Sequence, residues 1–298
     1  MIRTLILAVL AVSTSVILPT PGLSQTSEAN LRWQFPVGRK LEIEMTQRMK
    51  NAQNIAGKEI GTDIATTSFM TWEVEEVDSS SGVATIKSEI DRMTMNMKSP
   101  QGDFEIDSDS DEELEGIAQV VGKNVLSMVG KPFGQTMDAR GQVLTVDFPP
   151  EFEKATMVMM GRGAMEKLIK NASPMFPDGP IAVGKSWTQE TNTPMPGGMG
   201  AMALVSTYTY KGREMSDGKE MEVIDIDIDM TFETPEDGQA TIEITDQKTE
   251  GKMYFDSNNG HMASMKVEQS MGMDITFGGQ KISQVIENTT EGKFRLAK

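Results

Sequence analysis

Methionine is the residue type whose side chain offers the most distinctive chemistry in this sequence. The chain of 298 residues contains 25 methionines, and the thioether sulfur is a soft ligand that suits Cu(I). Met195, Met199 and Met202 lie in one glycine-rich segment. A flexible backbone there would let three sulfurs converge on one metal ion. One hypothesis is therefore a Cu(I) site at these three methionines.

Apolar packing is the alternative use of methionine. The side chain is unbranched and flexible, so it fills irregular gaps in a core and adapts to apolar ligands of varied shape. Most methionines occupy apolar phases of predicted strands or helices, as Met93, Met95 and Met97 do. We expect most of them to fill the core, and the others to bind metal or to line a surface that accepts an apolar ligand or a partner peptide.

Acidic residues and histidine give weaker chemical patterns. Asp107, Asp109 and Asp111 are spaced like the opening of a calcium loop, but Glu112 stands where that loop needs glycine. There is no Cys, and the single His261 follows a hairpin glycine, where we expect an exposed turn. No nucleophile elbow, Walker motif or dinucleotide-binding motif occurs. We predict a protein without a cofactor that is not an enzyme, with an unrecognised hydrolase as the open alternative.

The overall composition is that of a folded, acidic protein. Hydrophobic residues make up 38% of the chain and charged residues 24%, which is ordinary for a globular protein. The formal net charge is −16, whereas nonspecific binding to nucleic acid or to an anionic bilayer needs a basic face. We therefore exclude nucleic acid as a partner.

Residues 1–24 have the pattern of a secretory signal peptide. Arg3 supplies the positive start, and the apolar run from Leu5 to Leu18 is shorter than the roughly 20 residues that a membrane-spanning helix needs. Small residues precede Gln25, where we place the cleavage. The prediction is an exported protein of the periplasm or the extracellular space, with no stable membrane span after cleavage.

Long stretches of alternating polar and apolar residues predict strands, at 41–45, 69–77, 83–97 and 224–232. The clearest case begins with Ile224, Ile226 and Ile228, because its even positions are all apolar and its odd positions all polar. Alternation of this length is typical of an antiparallel sheet with one buried face and one face in water. We therefore predict a mainly β fold of the α+β class, built from curved antiparallel sheets.

Two hairpin turns share one pattern, in which a strand ends in Asp and a glycine closes the turn. The pairs are Asp138 with Gly141 and Asp256 with Gly260. An Asp carboxylate can accept hydrogen bonds from turn amides, and glycine adopts the positive φ that closes the turn. Both segments are predicted to join neighbouring strands.

Apolar residues at three-to-four spacing predict two helices, at 111–129 and from 149 to about 171, packed between or against the sheets. A faint repeat of Val-Gly before a strand, at 37–38 and 183–184, allows two related half-barrels. Convergence on the same turn chemistry explains that repeat nearly as well. The predicted organisation is a signal peptide at 1–24, an N-terminal β half at 25–110, a middle segment with both helices at 111–175 and a C-terminal β half at 176–298.

Three segments share strand-start and turn motifs with one family: 31–46, which begins Leu-Arg-Trp-Gln-Phe-Pro-Val-Gly, 130–144, which begins Gly-Lys-Pro-Phe, and 176–187, which begins Phe-Pro-Asp-Gly-Pro. In these segments the chain resembles the bacterial exported domain-of-unknown-function family 6263. The resemblance implies a β-rich exported protein without an assigned activity. A looser similarity to periplasmic lipoprotein-carrier folds implies a curved sheet that half-encloses helices and binds acyl chains.

These expectations give one leading functional hypothesis. The protein is an exported, non-enzymatic binding or structural envelope protein that holds an apolar ligand or an envelope protein as partner. The expected ligand face consists of apolar side chains on two strands, namely Met93, Met95, Met97, Ile224, Ile226 and Ile228. The alternatives are Cu(I) binding by methionines and an unrecognised hydrolase. The two halves can also close on each other and leave no cavity, which would favour a structural role.

Overall fold

The computed structural model describes residues 28–55, 57–150, 162–194, 200–233, 240–277 and 279–297. Within these ranges the chain forms a 12-stranded antiparallel sheet, a two-stranded sheet and two helices. Most of the described residues lie in strands, and the two helices account for a small part of them. The predicted mainly β fold with antiparallel pairing and two helices is therefore confirmed.

The strands are β1 (Glu28–Ala29), β2 (Lys40–Ile55), β3 (Lys58–Val77), β4 (Ala84–Lys98), β5 (Phe104–Asp107), β6 (Phe133–Met137), β7 (Val143–Asp147), β8 (Ile181–Ala182), β9 (Ser186–Pro194), β10 (Ala201–Ser216), β11 (Lys219–Glu233), β12 (Ala240–Asp256), β13 (His261–Phe277) and β14 (Gln280–Leu296). The helices are α1 (Gly116–Leu126) and α2 (Arg162–Ala172).

The large sheet consists of two antiparallel meanders, one of strands β2 to β7 and one of strands β9 to β14, which are joined by pairing between β2 and β14. Its order is β7-β6-β4-β3-β2-β14-β13-β12-β11-β10-β9, with β5 beside β4, and β1 pairs with β8. Strand β14 lies antiparallel to β2, with Leu296 opposite Leu41 and Ile282 opposite Ile55. One sheet therefore runs across both predicted β halves, and it is not closed into a barrel. The division into two halves stays a prediction.

The two faces of the sheet differ as the alternation predicted. The inner face, defined here as the one that carries the buried side chains of Ile43, Ile90 and Ile224, holds the core. The opposite, outer face is polar and carries ion pairs such as Lys40 with Glu73 at 3.1 Å. Alternation at this spacing separates the two sets of side chains because neighbouring residues in a strand point to opposite faces.

A β-bulge keeps the apolar residues of β4 on the inner face. Ile90 lies opposite Met70 and Arg92 lies opposite Phe69, so Asp91 is the extra residue of the bulge. The inner positions of β4 are consequently even-numbered before Asp91 and odd-numbered after it. For this reason Met93 shares a face with Ile90.

The core lies at one end of the inner face, beneath a short cover. The segment at 29–35 crosses this end, where the Trp33 ring lies 6.2 Å from that of Trp72 and 5.9 Å from that of Phe255. Helix α2 packs against both β7 and β9, which are the two edge strands of the described sheet. The sheet is therefore curved enough for one helix to reach both edges. We call this covered end the basal half, and the uncovered remainder the distal half.

Both predicted hairpin turns are confirmed. The Asp138 carboxylate accepts hydrogen bonds from two turn amides, both at 2.9 Å, and Gly141 has a φ of 93°. The Asp256 carboxylate accepts the backbone N–H of Asn259 at 3.0 Å, and Gly260 has a φ of 63°. Each turn therefore uses the Asp and the Gly in the predicted roles.

The covering segment also requires glycine at both turns. The backbone N–H of Trp33 donates to the carbonyl oxygen of Ala139 at 2.8 Å, and that of Gln34 donates to Gly260 at 2.9 Å. A Cβ atom at Gly141 would lie 2.8 Å from Trp33 Nε1, and one at Gly260 would lie 2.6 Å from the Gln34 nitrogen. The two hairpins thus form one docking surface for residues 33 and 34.

The first helix is shorter than predicted. It begins at Gly116 and not at residue 111, and it ends at Leu126 and not at residue 129, because residues 108–109 form a turn and 110–115 have no regular secondary structure. The Asp107 carboxylate accepts the backbone N–H of Asp109 at 3.0 Å and forms an ion pair with Arg92 at 2.7 Å. The second helix, α2, coincides with the C-terminal part of the predicted one, and residues 151–161 lie outside the described ranges.

Candidate functional site

The distal half of the inner face contains an apolar cavity of about 400 Å³. It spans six neighbouring strands, β2, β14, β13, β12, β11 and β10. Its apolar lining consists mainly of methionine and isoleucine side chains, namely Met49, Met202, Ile228, Met230, Phe232, Ile242, Met271, Met273, Ile275 and Ile286. We call this feature the distal cavity.

Strand register explains why these side chains share one surface. Met202 lies opposite Phe232 across β10 and β11, and Met271 lies opposite Ile286 across β13 and β14. Most of the lining side chains are only half-buried, although Met273 is 6% exposed. A contiguous apolar surface that is left partly open to solvent is uncommon on a soluble protein and marks a binding surface.

A row of uncharged polar side chains crosses the inner face at the basal border of the distal cavity. Gln269 lies opposite both Thr249 and Asn288 on the neighbouring strands. The Gln47 amide nitrogen donates to Asn288 Oδ1 at 3.2 Å, and the Thr249 hydroxyl donates to the carbonyl oxygen of Ile228 at 3.0 Å. This polar row, defined as Gln47, Thr249, Gln269 and Asn288, separates the apolar surface of the distal half from the basal core.

The three methionines predicted on β4 lie on the inner face. Met93 and Met95 are opposite Ser68 and Thr66, and Met97 is opposite Ile64. All three are half-buried. They do not line the distal cavity, because β4 is separated from its nearest lining strand, β2, by β3. A ligand role for them stays a prediction.

The three predicted isoleucines of β11 have different environments. Ile224 is 0% exposed and Ile226 is 6% exposed, so both belong to the core. Ile228 is half-buried and lines the distal cavity. The alternation is the same along the whole strand, but only its distal end reaches beyond the cover. The structure therefore brings Ile228, and not Ile224, to the candidate site.

The predicted metal site is only partly described. Met202 lies on β10 and lines the distal cavity, whereas Met195 and Met199 lie outside the described residues. In the described part of the chain, no group of three His, Cys, Asp or Glu side chains is placed to hold a metal ion. Cu(I) binding at the three methionines stays a prediction.

A buried polar cluster beside the core was missed by the sequence analysis. Glu222 is 1% exposed and accepts hydrogen bonds from the Tyr210 hydroxyl, from Arg213 Nε at 2.9 Å and from the Ser257 hydroxyl at 3.0 Å. Burial raises the pKa of Tyr210, and the hydrogen bond to Glu222 raises it further. The even positions of β11 face inward, so the charged Glu222 at one of them was the sequence signal that could have revealed the cluster. Its partners come from β10 and from the turn after β12, and sequence spacing does not show them.

The expectation of an exposed His261 is wrong. The side chain is 5% exposed, because the 34–39 region covers the turn and Arg39 donates to the backbone of Asn259. Burial lowers the pKa of His261 below its usual value, Asp256 acts against this, and Arg39 and Lys219 lower it further. Its Nδ1 atom has no hydrogen-bond partner among the described residues. His261 is therefore a buried side chain near the core and not a surface group.

Across the described ranges, no helix has both the length and the apolar character that crossing a bilayer requires.

No family model and no curated protein sequence matches the chain. The resemblance to domain-of-unknown-function family 6263 is therefore not confirmed.

Solved structures give remote matches. The chain is similar to lipovitellin, in a structure of its lipid–protein interactions, with 10% identity, a TM-score of 0.46, and coverage of 89% of this chain but only 26% of the lipovitellin chain. It is similar to an outer membrane channel from Pseudomonas putida F1, with 8% identity, a TM-score of 0.22, and coverage of 88% and 97% of the two chains. A putative outer membrane lipoprotein-sorting protein domain from Vibrio parahaemolyticus matches with 8% identity, a TM-score of 0.13 and 86% coverage of both chains. At these TM-scores the matches establish no common function.

Proposed function

We propose that the protein is a non-enzymatic binding protein of the cell envelope that holds an acyl chain, or a similarly apolar ligand, in the distal cavity. The observation that supports this proposal is the half-open apolar cavity of about 400 Å³ on the inner face, beyond the covered core. A volume of this size falls in the range of roughly 300–1,000 Å³ that small-molecule sites occupy.

The extent of the cover explains why this surface is open. The 29–35 segment and α2 pack on the basal half, whereas the long strands continue beyond them. Each methylene group that an acyl chain buries on this surface contributes about 0.8 kcal/mol. Flexible methionine side chains such as Met230 and Met271 adapt to the shape of such a chain without requiring one fixed geometry.

The test is a titration with an environment-sensitive fluorescent fatty acid, comparing two neighbouring residues of β11. Met230 is half-buried and lines the distal cavity, whereas Thr231 is exposed on the outer face. We expect saturable binding that weakens at least about tenfold with Met230→Asp, because the carboxylate must be desolvated by the chain. Thr231→Asp adds the same charge to the same strand and should leave the affinity unchanged.

Folding of both variants is checked by circular dichroism before the titration. Ile226→Asp is unsuitable for this purpose, because Ile226 is 6% exposed and a buried carboxylate there would disrupt the core. Absence of saturable binding, or equal binding by the two folded variants, would overturn the proposal. Those results would favour a structural role or a protein partner.

A further inference from the structure

We infer that the ligand of the distal cavity is a neutral single-chain lipid, in which the acyl chain is joined to an uncharged head group with hydroxyl or amide groups, as in a monoacylglycerol. The head group lies at the polar row, and the acyl chain runs from there toward the distal end of the strands. This inference rests on the proposed function, because it specifies the class of the ligand that the distal cavity holds.

Charge is absent from the inner face of the distal half. From the polar row to their distal ends, the six described strands that line the distal cavity carry their charged side chains only at outer positions. Examples are Asp229 on β11, Asp274 on β13 and Glu287 on β14, since each lies between two inner residues. Lys248 of β12 also borders the cavity, but it occupies an outer position and its ammonium group pairs with Glu250 at 2.7 Å.

This distribution of charge favours a neutral head group. An ionised head at the polar row exchanges part of its hydration for uncharged amides and hydroxyls, and no described inner residue of the distal half offers it a counter-ion. Desolvation of an unpaired charge is strongly unfavourable. A neutral head group replaces its hydrogen bonds to water by hydrogen bonds to amides at a much smaller cost. A fatty acid has the same chain but an anionic head, so it binds the same cavity more weakly.

Two amide groups of the polar row are free to bind the head group. The Gln269 amide makes no hydrogen bond to another described residue, and neither does the amide nitrogen of Asn288. Both residues are half-buried and line the distal cavity. Their free atoms are not among the unpaired polar atoms that the protein shuts off from solvent, so they are accessible. An amide donates through its nitrogen and accepts through its oxygen, and it therefore matches the hydroxyl and ester groups of a monoacylglycerol.

The position of Gln269 sets the direction of the acyl chain. Gln269 is in the middle of the polar row, opposite both Thr249 and Asn288. The next inner residues of β13 are Met271, Met273 and Ile275, which all line the distal cavity. At about 3.4 Å per residue, these side chains extend the apolar surface by roughly 20 Å beyond Gln269. The polar end of the lipid therefore meets amides, whereas its chain meets methionine and isoleucine.

The experiment compares three probes with the same ten-carbon chain: monodecanoylglycerol, decanoate and decyltrimethylammonium. An apolar cavity of about 150 Å³ binds benzene, so the distal cavity, with about 400 Å³, has room for roughly 16 non-hydrogen atoms, about the size of monodecanoylglycerol. Affinities are measured by isothermal titration calorimetry below the micelle concentration of each probe, at an ionic strength of about 0.15 M to screen the net charge of the protein. We expect the neutral probe to bind at least about tenfold more tightly than either ionic probe.

Gln269→Met tests the role of the polar row. The substitution keeps the length of the side chain but removes the amide, so monodecanoylglycerol should bind about tenfold less tightly, as expected for the loss of one hydrogen bond. Decanoate should bind this variant at least as tightly as it binds the original protein. Thr289→Val is the control, because Thr289 follows Asn288 on β14 but lies on the outer face, opposite Glu268. This control variant should bind all three probes like the original protein.

The outcomes separate this inference from the proposed function. Equal affinities for monodecanoylglycerol and decanoate would overturn the inference alone, as would unchanged binding of monodecanoylglycerol by Gln269→Met. Tightest binding of decyltrimethylammonium would also overturn it, because the net charge and not the polar row would then select the ligand. Absence of binding by all three probes would overturn the proposed function together with the inference. Met230→Asp should weaken the binding of every probe, because it changes the surface beneath the chain and not the polar row.

Discussion

Removal of Arg213 is the substitution that tests most directly how the buried carboxylate of Glu222 is stabilised. Glu222 is 1% exposed, and Arg213 is its only cationic hydrogen-bond partner among the described residues, with Nε at 2.9 Å. The Tyr210 and Ser257 hydroxyls donate the other two hydrogen bonds. In Arg213→Met the carboxylate therefore keeps two neutral donors and loses its counter-charge.

The expected cost follows from the burial of the two partners. Loss of one partner of a buried ion pair costs about 3–5 kcal/mol. The side chain of Arg213 is 52% exposed, so water replaces part of its interaction, and we expect Arg213→Met to lower the free energy of unfolding by about 2–3 kcal/mol. Lys211→Met is the control, since Lys211 contacts Asp225 at 3.5 Å with both side chains near half exposure. It should cost less than about 1 kcal/mol.

A second substitution separates the charge from the packing. Glu222→Gln in the Arg213→Met background removes the buried charge; the amide oxygen can accept one of the two hydroxyls, which now donate to different carboxylate oxygens, and the amide nitrogen can donate to the other hydroxyl oxygen. We expect the double variant to regain about 1–2 kcal/mol relative to Arg213→Met. The assay is urea denaturation followed by circular dichroism and tryptophan fluorescence at one pH. The reasoning fails if Arg213→Met costs no more than Lys211→Met, or if the double variant is no more stable than the single one.

Three further predictions concern pH, turn geometry and processing. Because the pKa of His261 is below its unfolded value of 6.5, the unfolded chain binds a proton first as the pH falls. Stability should therefore decrease below about pH 6.5, by at most about 1.4 kcal/mol per pH unit. His261→Gln should remove this slope in urea titrations between pH 7 and 5, and equal slopes would contradict the assignment. Gly260→Ala should cost at least twice the roughly 1 kcal/mol expected for Gly38→Ala, as measured by urea denaturation. Both glycines have positive φ, but only at Gly260 would a Cβ meet Gln34, and similar costs would refute this contact. Mass spectrometry of the exported protein should find an N-terminus within a few residues of Gln25, whereas an uncleaved chain would contradict the signal peptide.

Features of this fold that depend on local sequence were predictable. Alternation with a period of two specifies a strand and its two faces without reference to the rest of the chain, as at 224–232. The Asp and Gly of each hairpin turn likewise act within a few residues of one another, at 138–141 and 256–260. The α+β class, the antiparallel pairing and both turns follow from such short-range rules.

The start of α1 and the face of Met93 depended on contacts between elements. Asp107, at the end of β5, is paired with Arg92 of β4, and the chain leaves β5 through a turn and an irregular stretch, so the helix starts only at Gly116 although the acidic residues from 111 favoured an earlier start. The extra residue at Asp91 arises from pairing with β3, and it reverses which positions of β4 face inward. A partner strand is required for both effects, and its register is not written in the local sequence.

Only the tertiary structure decided which apolar residues became core and which became candidate site. Ile224, Ile226 and Ile228 are of one residue type and lie on the same face of β11. Nevertheless the first two are buried, whereas the third is only half-buried. The difference comes from where the 29–35 segment and α2 end on the sheet, which is set by contacts between residues far apart in the chain. The sequence by itself determined that an apolar face exists. How much of that face is left for a ligand is decided by the cover, because burial depends on what packs against a strand as well as on the strand's own pattern.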